Sequence, residues 1–176
     1  DFLAEITMSI LQKQYERNPE LGYARDFVGI LTQSLPQILT KKIKVISNAG
    51  GINPVACAKA IEKIAHTQGL KPKIAIVMGD NILGDLDQLY PSKGKFENLE
   101  TSEPFDLVKS KIKSANVYFG ALPIVEALKK WDPDIIITGR ATDTGITLAP
   151  MIYEFAWDVR DWDKLASGIV AGHMLE

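Results

Sequence analysis

Cysteine and histidine are almost absent: the 176 residues include one cysteine, Cys57, and two histidines, His66 and His173. That excludes a disulfide framework and a cysteine-rich zinc site, and it fits a reducing compartment. No apolar run approaches the roughly 18 residues of a membrane span, and no basic segment followed by an apolar core opens the chain. The expectation is a cytoplasmic protein with no membrane partner. An excess of one charge is lacking too: the net charge is -2 and the lysines are scattered. Nucleic acid, which calls for a basic face or stripe, is therefore not an expected partner. Neither G-x-G-x-x-G nor G-x-x-x-x-G-K-[ST] occurs, so no Rossmann fingerprint or P-loop can be claimed. No Ser-His-Asp arrangement or metal-ligand cluster is visible; no metal site is expected, and the sequence names no cofactor.

What is present is an ordinary apolar share, 46% of the chain. A chain of this size buries roughly 70% of its extended surface and forms one domain, read here as residues 1–176. The opening segment reads as a helix with Phe2, Leu3, Ile6 and Ile10 on its apolar face. A second amphipathic helix carries Phe27, Val28, Leu31, Leu35, Ile38 and Leu39 on one side, with Pro36 bending or breaking it. A third lies between Pro54 and Gly69, with Cys57 beside Ala56, Ala60, Ile61 and Ile64 on its apolar side, where a thiol is core rather than nucleophile.

Four short apolar runs, KIKVIS, KIAIVM, SANVYFG and DIIIT, each lead into a glycine-bearing turn and a helix. Strands without alternation are buried on both faces, which parallel sheets require. The expected fold is therefore α/β: a doubly wound, mostly parallel sheet flanked by helices in a Rossmann-like three-layer arrangement. The chain starts with Asp1 inside a helical pattern and stops after AGHMLE with no capping signal, so it reads as an internal fragment truncated at both ends. Residues 90–111, rich in charge, Pro, Ser and Gly, break the pattern as either a functional flap or a surface excursion.

Ligands of open parallel sheets collect beyond the carboxyl ends of the strands, so the residues there are the candidate site. Asn48, Gly50, Gly51 and Asn53 form an anion cradle if the glycine amides face a ligand; alternatively the glycines make a tight turn and Asn53 caps the helix. Asp80 follows a strand directly, where a carboxylate can hold a ribose hydroxyl or Mg²⁺, move a proton, or simply cap a turn. Asn116 and Tyr118 project to the same side of an extended segment and can orient a substrate, or Tyr118 is an ordinary half-buried aromatic. Gly139 and Arg140 follow the last strand; the guanidinium fork suits a carboxylate or phosphate, unless Asp143 merely pairs with it. Asp80 and Asp143 are the candidate catalytic carboxylates.

Six segments, 1–11, 21–28, 44–61, 114–128, 134–157 and 161–176, together resemble the N-terminal domain of the acyclic terpene utilisation protein AtuA family. The motifs match in order, and Asn48, Gly50, Gly51, Asn53, Asn116, Tyr118, Gly120, Gly139, Arg140 and Asp143 fall on them. The resemblance implies a domain that begins earlier, with a strand and a glycine-rich turn, and continues further. It also implies a place beside enzymes that degrade citronellol and geraniol through acyl-CoA intermediates, hence a small anionic or acyl-CoA ligand in acyclic terpenoid or branched-acid catabolism. A non-catalytic ligand-sensing or complex-assembly module is the alternative. A second copy of the chain and an enzyme of the acyl-CoA pathway stay open as partners.

Overall fold

The computed structural model of the chain describes residues 1–2, 5–89 and 96–175. Strands β1 (Val45–Ser47), β2 (Ile74–Val77) and β3 (Ile135–Thr138) form one parallel sheet in the order β1-β3-β2. In register, Val45 and Ile74 both face Ile135 across the ladder. Every residue of the central strand β3 is buried, as its unbroken apolar run requires. Its side chains alternate between two cores with the period of a strand. Ile135 and Ile137 join Phe27, Leu31 and Leu35 of α2 (Arg25–Thr40) and Cys57 and Ile61 of α3 (Pro54–Thr67). Ile136 joins Ile124 and Leu128 of α6 (Leu122–Trp131) and Ala149 and Ile152 of α7 (Gly145–Glu154). The remaining helices are α1 (Glu5–Arg17), α4 (Leu86–Leu89), α5 (Asp106–Lys109) and α8 (Trp162–Leu175). The chain is α/β, as expected, on a sheet of three strands among the described residues.

The α2 face is buried as its periodicity indicates, and the helix runs through Pro36 without a break. Proline supplies no N–H to the carbonyl of Thr32, and that carbonyl instead accepts Nε2 of Gln68 at 2.7 Å. Helix α3 starts on Pro54, is capped by Asn53 and ends before Gly69 in the left-handed region at φ 68°.

Two expectations fail. The SANVYFG segment is not a strand of the sheet. It makes only isolated bridges, Asn81 with Asn116 and Phe119 with Ala141, and Val117 and Tyr118 are exposed. Lacking two buried faces, it lies across the strand ends: Val117 N–H donates to Asp80 O, Phe119 N–H to Arg140 O, and Thr142 N–H to Phe119 O. The opening helix also buries a different face. Met8 and Leu11 are buried while Ile6 is 77% exposed and Ile10 is exposed; Phe2 does pack, edge to face, on Phe27, and Leu3 lies outside the described residues. Leu11 sits so tightly over Gly51 that a Cβ there would lie 2.4 Å from it.

Of the irregular stretch 90–111, residues 90–95 lie outside the described residues. The rest forms a tight turn held by Asn98, whose Oδ1 accepts the N–H of Glu100 and Thr101, and then α5. No helix among the described residues is long and apolar enough to cross a membrane.

Leu35→Ala, which empties a fully buried position, should cost about 2–5 kcal/mol of unfolding free energy in urea. Ile6→Ala should change it by no more than about 0.5 kcal/mol; a large loss there would restore the face expected from periodicity.

Candidate functional site

The Asn48–Asn53 turn is built for packing. Asn48 is fully buried; its Oδ1 accepts Phe2 N–H at 2.8 Å and its amide donates to Asp1. A Cβ on Gly50 would meet Thr138 O at 2.5 Å, and Gly51, at φ 54°, leaves room for Leu11. Asn53 accepts Ala56 N–H at 3.1 Å and donates to the carbonyls of Pro19 and Leu21. Close approach of α1 and β3 requires glycine at both positions.

The other candidates converge at the ends of β2 and β3. Asp80, only 4% exposed, accepts at one oxygen the Asn116 amide and the Arg140 backbone N–H, both at 2.9 Å. Gly139 makes this approach feasible, since a Cβ there would lie 2.3–2.5 Å from the Asp80 carboxylate. Arg140 is 3% exposed, and its guanidinium carbon stands 4.1 Å from the Tyr118 ring centroid, a stacked cation–π contact. Its Nη2 donates to Asp143 Oδ1 at 3.1 Å and to Glu5 Oε1 at 3.4 Å, and the Tyr118 hydroxyl donates to the same Glu5 oxygen. A cavity of about 240 Å³ opens here, bordered by Glu5, Met8 and Ser9 of α1, by Ser114, Asn116 and Tyr118, and by Arg140.

The structure thus brings Asn116, Tyr118, Gly139, Arg140, Asp143 and Asp80 together, and sets Asn48, Gly50, Gly51 and Asn53 apart, around α1 and the α3 cap. Neither Asp80 nor Asp143 borders the cavity. Glu5, Ser9 and Ser114 do, and sequence reasoning missed them. Glu5 carried one signal, an acidic residue in the first turn of a helix, which ordinarily means no more than a favourable interaction with the helix dipole.

The sequence profile described as acyclic terpene utilisation family protein AtuA matches residues 1–176. The chain belongs to the AtuA family. No curated protein and no solved structure shows a significant match to it.

In this AtuA-family site one cation faces several carboxylates. Arg140 touches Glu5 and Asp143 through its side chain and Asp80 through its backbone N–H. Among the described residues bordering the cavity none is His, Cys or Lys, and Glu5 is the one carboxylate there. Among the described residues no three His, Cys, Asp or Glu side chains gather as a metal-ligand set. Cys57 lies in the core, its thiol pushed up to about 12 by burial, which keeps it protonated and unreactive at neutral pH.

The Glu5 carboxyl is held below the usual glutamate range, chiefly by the Tyr118 hydrogen bond, then by a backbone hydrogen bond at Glu5 and by the Arg140 charge. Because the folded-state pKa lies below the unfolded value, this contact stabilises the fold above the ordinary glutamate range and is lost as pH falls through the lowered value. Tyr118→Phe should bring Glu5 back up toward 4.5 in a carboxyl-carbon NMR titration; no change would assign the shift to the other contacts. Gly139→Ala should push the Asp80 carboxylate off its two donors and cost about 1–3 kcal/mol, read by urea denaturation. An unchanged midpoint would show that Asp80 does not hold the turn.

Proposed function

We propose that this AtuA-family domain binds a small carboxylate, or the acyl end of an acyl-CoA thioester, at the crevice beside Arg140. The ligand would belong to acyclic terpenoid or branched-acid catabolism, in the cytoplasm, on a sheet of doubly wound, three-layer type. The observation that carries this is Arg140 itself: a guanidinium 3% exposed, stacked on Tyr118, with Nη2 directed to carboxylates beside a cavity. That planar fork is suited to carboxylate recognition.

Size supports the small end of the range. A volume of about 240 Å³ corresponds to roughly eight waters at ~30 Å³ each and falls below the ~300–1,000 Å³ of sites that enclose drug-sized ligands. A coenzyme A nucleotide would lie outside it. Ser9, Ser114 and Asn116 border the cavity and offer hydrogen bonds to an oxygen substituent, so a hydroxylated short acid such as 3-hydroxybutyrate is a suitable probe.

A second reading, a non-catalytic module that assembles with a partner, draws on one observation. Trp162, Ile169, Val170, Met174 and Leu175 of α8 are all exposed, and apolar side chains grouped on one element are a mark of interaction surfaces.

Calorimetric titration of the intact protein with 3-hydroxybutyrate and with its uncharged amide tests the first reading. The acid should bind more tightly than the amide, and Arg140→Lys, which keeps the charge but loses the fork, should weaken the acid roughly tenfold, the lower end expected for a charge-assisted hydrogen bond. Equal affinity of acid and amide, or of wild type and Arg140→Lys, would remove Arg140 as a carboxylate anchor.

A further inference from the structure

The two side-chain carboxylates on Arg140 are held very differently. Asp143 is three residues away in the same turn and approaches to 3.1 Å. Glu5 comes from a helix 135 residues distant, approaches only to 3.4 Å, and is 73% exposed against 42% for Asp143. Asp143 therefore belongs to the construction of the turn, while Glu5 leans in from outside on a long side chain that stays largely exposed to solvent.

The two side-chain donors directed at Glu5 converge on one oxygen. Oε1 accepts from the Tyr118 hydroxyl and from Arg140 Nη2, and charge-assisted hydrogen bonds from arginine are among the strong contacts proteins make to carboxylates. The place is thus shaped for a carboxylate and filled by one of the chain's own. A ligand carboxylate cannot join it without setting a third negative charge against a single guanidinium, and like charges at such separation repel strongly where water is partly excluded. Glu5, Met8 and Ser9 border the same cavity, so withdrawal of Glu5 toward solvent enlarges the crevice on the α1 side.

We propose that Glu5 is a built-in competitor: its carboxylate occupies the position on Arg140 and Tyr118 that the ligand's carboxylate takes, and binding displaces it. This rests on the carboxylate-binding reading and adds a specificity determinant to it. Acids exchange one carboxylate for another at Arg140, whereas neutral analogues enter without that exchange. The affinity for acids is accordingly set by how firmly Glu5 is held, and any acid bound there leaves α1 with one tether fewer to the sheet.

The test titrates the intact protein with 3-hydroxybutyrate and 3-hydroxybutyramide in wild type, Glu5→Ala and Glu5→Gln. Removing the competitor should tighten the acid by up to about fivefold, the gain corresponding to one exposed ion pair, and should favour the acid over the amide by more than in wild type. Glu5→Gln should shift the acid in the same direction and serves if Glu5→Ala fails to fold. Acid binding that is unchanged or weakened in both variants, with wild type still preferring acid to amide, overturns displacement and leaves the carboxylate site standing. No preference for the acid in any of the three proteins removes the site and the displacement together.

Discussion

The crevice at the strand ends hangs on one carboxylate, that of Asp80. It sits just past β2, and one of its oxygens gathers the backbone N–H of Arg140 and the amide of Asn116. Its own carbonyl accepts Val117 N–H. One residue thereby fastens three pieces of chain: the end of β2, the segment crossing the strand ends, and the turn after β3. A carboxylate 4% exposed is costly to bury unless its lone pairs are met, and here one donor is a backbone N–H and the other a side-chain amide. Gly139 is the condition for all of it, since any side chain there would occupy the space of the carboxylate. From this clamp the position of Tyr118 follows, and with it the stacking that holds Arg140.

A buried arginine is costly unless its charge is met. Desolvating a guanidinium costs several kcal/mol, and replacing buried ion pairs by apolar residues is often neutral or favourable. Arg140 is compensated by Asp143, Glu5 and the Tyr118 ring, of which Glu5 is largely open to water. A structure built only to fix the Gly139–Asp143 turn could do so with the Asp80 clamp, which uses the backbone N–H of residue 140 and not its side chain. The guanidinium adds its own tie to the turn through Asp143 and also borders the crevice.

What was legible in the sequence was what local patterns decide. The three strands, the α2 face, the α3 cap and the glycine that ends α3 each follow from a run, a period or a cap within a few residues. The convergence of Asp80, Asn116 and Arg140 was legible at one remove, because parallel strands send their carboxyl ends to one edge. The SANVYFG segment misled because an apolar run of that length is equally compatible with a strand and with a strap crossing strand ends; only burial on two faces separates them, and Val117 and Tyr118 lack it. Helix α1 misled because it carries apolar residues on both sides, Ile6 and Ile10 on one, Met8 and Leu11 on the other. Which side turns inward is set by contacts remote in sequence, Leu11 on Gly51 and Glu5 on Arg140, and periodicity holds no record of them.

Those same contacts join the two groups into which the candidate residues divide. Asn48 holds Asp1 and Phe2 just before α1, and Gly51 receives Leu11 further along it. Asn53 binds Pro19 and Leu21, in the loop just beyond the helix. The glycine-rich turn is therefore a seat for α1, and α1 in turn presents Glu5, Met8 and Ser9 to the crevice. A residue such as Asn48 can influence the site without bordering it, by fixing how far Glu5 reaches. The arginine that follows β3 thus faces neither its neighbouring aspartate alone nor open solvent: it faces a carboxylate delivered by a helix whose position the other strand-end turn controls.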